Sequence, residues 1–77
     1  MTQCERIVKY LDDFGSITTI EAFTELGVAR LASRIHDLRE AGYDIEAEHI
    51  KSKNRYGDIV YYARYRLADR GEHNVLL

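Results

Sequence analysis

The chain's 77 residues include 11 Lys and Arg against 13 Asp and Glu, 45% hydrophobic residues, one Cys, no Pro and no Trp. That length suits one domain near the lower limit for an unstapled core, and its apolar content with a net charge of −2 excludes a disordered or highly charged tail. One cysteine excludes an internal disulfide framework or a cysteine-rich zinc site, and the longest apolar run, residues 59–63, is far below the ~20 residues needed to cross a bilayer. The opening Met1-Thr2-Gln3-Cys4-Glu5-Arg6 has no signal-peptide apolar segment, so a small soluble domain of a reducing cytosol is expected.

A first helix is expected over roughly residues 3–14. Thr2 with Glu5 makes a capping box, Cys4, Ile7, Val8, Leu11 and Phe14 recur at helical spacing, and Gly15 is a stop. Thr18 with Glu21 is a second capping box, Ile17 is placed to staple onto Ala22, and Ile20, Phe23 and Leu26 form one stripe ending at Gly27. Val28, Leu31, Ile35 and Leu38 then step through a third helix ended by Gly42, with Tyr43 placed to fold back on Leu38 in a Schellman cap. Two helices joined at a glycine match a helix-turn-helix, although this pair alone fits a helical hairpin of a small bundle equally well.

From residue 43 the period changes from 3.6 to 2. Residues 43–51 and 58–67 alternate and flank Asn54-Arg55-Tyr56-Gly57, which suits a type I turn followed by a glycine bulge. Closing the loop at residues 54 and 58 fixes a register. Ile45 then faces Leu67, Ala47 faces Tyr65 and His49 faces Ala63, while the other face sets Glu46 opposite Arg66, Glu48 opposite Arg64 and Ile50 opposite Tyr62. Both charged pairs have opposite sign, each stabilising by ~0.2–1 kcal/mol. A slip by one residue would set charges against apolar groups. The expected fold is α+β: a three-helix winged helix-turn-helix over residues 1–67 with a C-terminal two-stranded β-hairpin wing, to which Ser16-Ile17-Thr18 is placed to add a short third strand. A frayed, flexible C-terminal tail is expected over residues 68–77.

Charge is uneven along this order. Residues 1–27 carry net −3 and residues 28–48 net −2, whereas residues 49–66 carry five bases and one acid, net +4. A local basic patch is what a polyanion meets first. In the third helix the face opposite the core stripe is expected to hold Arg30, Ser33, Arg34 and Asp37. Arg is suited to the two acceptors of guanine and Ser33 to a phosphate or base, while a bland reading has an arginine bridging Asp37 on a solvated face. Asp37 would repel phosphates unless it pairs with Arg34 or accepts from a cytosine amino group. At the start of the second helix Thr18 is explained by its cap, and Thr19 is the better phosphate candidate. At the wing, Lys51, Lys53 and Arg55, with Tyr56 beside them, face no acid in the register and are available for phosphate. A bland reading makes them a solubilising edge that prevents sheet-to-sheet pairing.

The run Arg30-Leu31-Ala32-Ser33-Arg34-Ile35-His36-Asp37-Leu38-Arg39, then Gly42-Tyr43 and Ala63-Arg64-Tyr65-Arg66-Leu67, resembles the small helix-turn-helix proteins of bacteriophages and prophages. The opening residues 2–7 and the Gly15-Ser16-Ile17-Thr18 step are similar to the same group, so the likeness spans about residues 2–67. It implies three helices and a wing, and a DNA-binding role by analogy of fold.

Together these readings lead to an expected binder of double-stranded DNA, a transcriptional regulator in the cytoplasm of a bacterial host cell. The third helix would enter the major groove and the basic wing would brace the backbone. With few free cations per copy, specificity would call for a homodimer, cooperative copies or a larger complex. The competing expectation is a protein-interaction module that binds or inhibits a host protein, favoured by the acidic first 48 residues and by Ile50, Val60 and Tyr62 on one wing face. No cofactor or metal site is expected, because His36, His49 and His73 show no ligand spacing. Cys4 sits on the apolar stripe, no phosphate loop or nucleophile–base pair is present, and an enzyme is not expected.

Overall fold

The computed structural model describes residues 1–68. The expected tail lies outside the described residues apart from Ala68, whose N–H donates to the Asp44 carbonyl at 2.8 Å. The order is α1 (Gln3–Phe14), β1 (Ile17–Thr18), α2 (Thr19–Leu26), α3 (Leu31–Glu40), β2 (Ile45–Lys53) and β3 (Ile59–Leu67).

Both capping boxes form. The Thr2 N–H donates to Glu5 Oε1 at 2.7 Å and the Glu5 N–H to Thr2 Oγ1 at 3.1 Å. At α2 the same exchange joins Thr18 and Glu21 at 2.9 and 3.3 Å. Accepting from the Thr2 N–H holds the Glu5 carboxyl below its ordinary value. A lowered carboxyl value gives stability above the unfolded-state value that is lost as pH falls through the folded one. Protection factors of the amides in the first turn of α1 should therefore fall as pH drops below the ordinary glutamate range, and Glu5→Gln should flatten that dependence. Thr18→Ala should cost about 1 kcal/mol in a urea melt without changing its slope.

Gly15 and Gly27 close α1 and α2 in the left-handed region. The end of α3 is a Schellman motif: the Tyr43 N–H reaches the Leu38 carbonyl and the Gly42 N–H the Arg39 carbonyl, both at 3.0 Å, with Gly42 at φ 105°. The start of α3 differs from the reading that ran it from Val28. Val28 is buried and continues the apolar pattern, yet helix begins at Leu31. Arg30 is its N-cap residue and makes no side-chain capping bond, so residues 28–30 are connection rather than helix.

The expected wing register is observed. Ile45 pairs with Leu67, Glu48 with Arg64 and Ile50 with Tyr62, through to Lys53 with Ile59. The Asn54 N–H donates to the Asp58 carbonyl at 2.9 Å, Asn54 Oδ1 accepts from the N–H groups of Tyr56 and Asp58, and Gly57 sits at φ 86°. The sheet is not a two-stranded wing, however. It is three-stranded in the order β1-β3-β2, because Ile17 pairs with Tyr65 and Thr18 with Arg64. The short segment between two helices finds there the backbone partners that its buried position would otherwise deny it.

Burial explains where the helices sit. Ile17 and Ile45, on the odd-numbered face of the sheet, are buried with Ile7, Leu31 and Ile35 in one core, and Tyr65 and Leu67 pack against it. The helices cover only the base of that face. Every residue from 51 to 62 is exposed, and the described chain extends 49 Å along its longest axis. The outer hairpin projects from the body.

Candidate functional site

The described basic residues divide into two groups. Arg6 donates to the carbonyls of Leu26 and Met1, each at 3.1 Å, and Arg39 donates twice to the Ile45 carbonyl, at 3.1 and 2.8 Å. Lys9 bridges Asp13, Arg34 bridges Asp37 at 3.1 Å, and Arg66 bridges Glu48 at 2.8 Å. Arg30, Lys51, Lys53, Arg55 and Arg64 make no ion pair with a described acid. The first group is engaged by acceptors of the chain itself, and the second is not.

Three of the second group lie on the outer wing. Lys51 faces Tyr61 and Lys53 faces Ile59. Directly opposed residues share a face and successive ones alternate, so both lysines lie on the face that carries Ile17 and Ile45 at its base. The basic side of the wing is thus turned to the side on which the helices pack. Arg55 and Tyr56 occupy the turn, which the Asn54 bonds hold in one shape, and Tyr56 is 84% exposed.

The third helix is arranged differently from expectation. Turning about 100° per residue from Leu31, Ile35 and Leu38, the surface opposite the core carries Ser33, His36 and Glu40, with Asp37 next to it. Arg34 and Arg39 fall on opposite flanks. Arg39 is on the flank toward the sheet, as its bonds to Ile45 require. Arg34 lies toward the first turn of α1, sharing a surface hollow with Gln3, Gly27, Arg30 and Ser33. Its Nη2 is bridged to Asp37, and its Nε is buried with no hydrogen-bond partner. The bland reading of Arg34 and Asp37 as an ion pair therefore holds. Arg30 is not on the helical face at all: it stands free at the N-cap, one residue before the helix. His36, exposed on that outward surface, is found by a helical wheel centred on the core stripe and not by a search for charge.

Thr19, first residue of α2, is exposed, and its neighbour Thr18 is buried and held in the capping box. Arg64 lies opposite Thr18 across the sheet. It makes no ion pair with a described acid: Arg66 reaches diagonally to Glu48 instead of its direct partner Glu46, and Glu48 is the residue that Arg64 faces.

The groove between α1 and α3 is lined by Glu5, Asp12, Asp13 and Asp37, with Lys9 bridged to Asp13. At the edge of α1 nearest α2, desolvation raises the Tyr10 hydroxyl value, with further contributions from Glu21 and Glu25. That surface would repel a polyanion. Among the described residues no group of three or more His, Cys, Asp or Glu is placed to hold a metal ion, and no helix is long and apolar enough to cross a membrane.

A family model described as a winged helix-turn-helix domain matches residues 2–70. No curated protein gives a match, and no solved structure does.

Proposed function

This chain belongs to the winged helix-turn-helix domain family, and from that premise we propose that it binds double-stranded DNA without catalysing a reaction. The observation that carries the reading is the division of the cations: those of the helical body are engaged by the chain's own acceptors, while Arg30 and the wing's Lys51, Lys53 and Arg55 are unpaired and exposed. Helix α3 enters the major groove by its outward surface, with Ser33 and His36 toward base edges and Arg30 at its leading end. The Arg34–Asp37 pair flanks the groove. Thr19 and the wing cations, with Tyr56, bear on the phosphates. The resemblance to small phage and prophage helix-turn-helix proteins supports a role as a transcriptional regulator of phage or prophage origin, working in the cytoplasm of a bacterial host.

Fluorescence anisotropy with duplex DNA across a salt series tests this. Three wing cations on phosphates give a log–log salt slope of about −2.7. Lys53→Ala should flatten the slope by ~1 on every sequence alike, whereas Arg30→Ala should cost ~1–3 kcal/mol on the preferred sequence and less on random duplex. Asp37→Asn should strengthen binding, since it removes a negative charge beside the groove and releases Arg34. A slope near zero would refute the reading.

A second reading, docking on a host protein, is favoured by one observation. Ile50, Val60 and Tyr62 share the even-numbered wing face, and Val60 and Tyr62 are exposed. Capture of a protein partner that Tyr62→Ala abolishes and Lys53→Ala leaves intact would support it.

A further inference from the structure

Strand β3 has a free edge, and its two edges are unequally protected. One side of β3 is paired with β2 along its whole length, whereas the other is paired with β1 only at Tyr65 and Arg64. Beyond Arg64 no described strand lies along that side. The bonds of Asn54 to Asp58 and of Ala68 to Asp44 fix the phase of the ladder. Even-numbered residues of β3 bond to β2, so the N–H and C=O groups of Ile59 and Tyr61 point to the free side.

An unpaired edge is ordinarily blunted by charge, proline or a bulge. The exposed edge strand β2 follows that rule, with Glu46, Glu48, Lys51 and Lys53 along it. The free stretch of β3 does not. Residues 59–63, Ile-Val-Tyr-Tyr-Ala, contain no charge and are the longest apolar run in the chain. Ile59 and Tyr61 are 52% and 66% exposed.

We infer that this edge pairs with the same edge of a second copy, joining two wings into one continuous antiparallel sheet about a twofold axis at Val60. The register follows from three constraints. A twofold through Val60 lets Ile59 and Tyr61 exchange backbone bonds with Tyr61 and Ile59 of the second copy, using the groups that are free. A twofold through Tyr61 would instead bring the second copy's Asp58 to the place opposite Arg64 that Thr18 holds. With Val60 at the centre, Asp58 of each copy faces Tyr62 and lies diagonal to Arg64 on the same face, offering a carboxylate to the wing-base cation that lacks one. The central opposed pairs, Val60 with Val60 and Ile59 with Tyr61, are aromatic or β-branched, and no like charges meet. Lys51 and Lys53 of both copies then fall on one face of the joined sheet, the face turned to the helices, doubling the wing charge presented to a polyanion. The pairing itself does not depend on the DNA reading.

Sedimentation equilibrium across a wide concentration range reads the association. The wild-type chain should pass from monomer to dimer, while Val60→Lys and Tyr61→Pro remain monomeric at every concentration with unchanged circular dichroism. Phe23→Lys, on the exposed surface of α2, should leave the dimer intact. Val60→Cys in a Cys4→Ser background should oxidise to a covalent dimer, because non-hydrogen-bonded antiparallel partners approach to about 4.5 Å between Cα atoms, within disulfide reach. This cross-link keeps the test decisive if a strand variant fails to fold. A wild-type chain monomeric throughout, a dimer unaffected by Val60→Lys, or a dimer lost with Phe23→Lys alone would overturn the inference. The monomeric Tyr61→Pro variant, with the wing charge unchanged, should bind duplex DNA with the single-copy salt slope, so failure of either idea is separable from the other.

Discussion

Replacing Ile35 with Ala should lower the unfolding free energy by about 2–5 kcal/mol. Ile35 is 1% exposed and faces the core from the middle of α3, in one cluster with Ile7, Ile17 and Leu31. Removing three carbons there leaves a cavity that helices on two sides and the sheet base cannot all close. At roughly 0.05–0.15 kcal/mol per residue, a chain of this length has only about 4–12 kcal/mol in total. The change therefore takes a large share of the stability, and a urea melt should show a midpoint well below wild type. At concentrations where the chain is monomeric, truncations in the outer wing should be nearly silent, since residues 51–62 are exposed. Val60→Ala as costly as Ile35→Ala would mean that the wing is covered by a partner or that the core lies elsewhere.

The second large effect falls on binding and leaves stability unchanged. The triple variant Lys51→Gln, Lys53→Gln, Arg55→Gln removes three exposed cations that engage no described acid. Each phosphate contact contributes about 0.9 to the log–log salt slope, so the variant should flatten it by about 2.7. At 0.1 M salt this corresponds to an affinity loss on the order of 10²–10³-fold. The loss should be the same on preferred and random duplexes, because phosphate contacts carry no sequence information. A loss confined to one sequence would mean that the wing reads bases.

The wing register is legible in the sequence because two independent constraints agree on it. Asn54 and Gly57 specify the turn, and the alternation of apolar and charged residues penalises a shift by one. The starts of α1 and α2 were legible for a similar reason: each has a Thr and a Glu three residues apart that satisfy each other's backbone. The start of α3 had no such signal. Residues 28–30 are Val, Ala and Arg, which offer no capping oxygen, and Val28 keeps the helical spacing while its backbone does not. Hydrophobic period alone then places the boundary three residues early.

The engagement of each charge was much less legible. Sequence reading pairs charges that face each other, but long side chains reach diagonally, and Arg66 takes Glu48 where Glu46 was expected. That pair is about half exposed and contributes little to stability; its consequence is to leave Arg64 without a described acid. Arg39 and Arg6 are engaged by carbonyls 6 and 20 residues away, contacts that only the folded chain brings together. The position of Arg34 on the α1 flank follows from the helix phase. The surface of α3 opposite the core carries Ser33, His36 and Glu40, with the two arginines on its flanks.

The decisive measurement is an amide chemical-shift titration of the labelled protein with duplex DNA at low and moderate salt. If the wing's basic face and the outward surface of α3 form one footprint, perturbations should appear together at residues 51–56 and at residues 30–36, diminish with salt in parallel, and leave the acidic groove between α1 and α3 unchanged. Perturbation of only one of the two regions, or its centring on Glu5, Asp13 and the rest of that groove, would contradict a single DNA-binding surface.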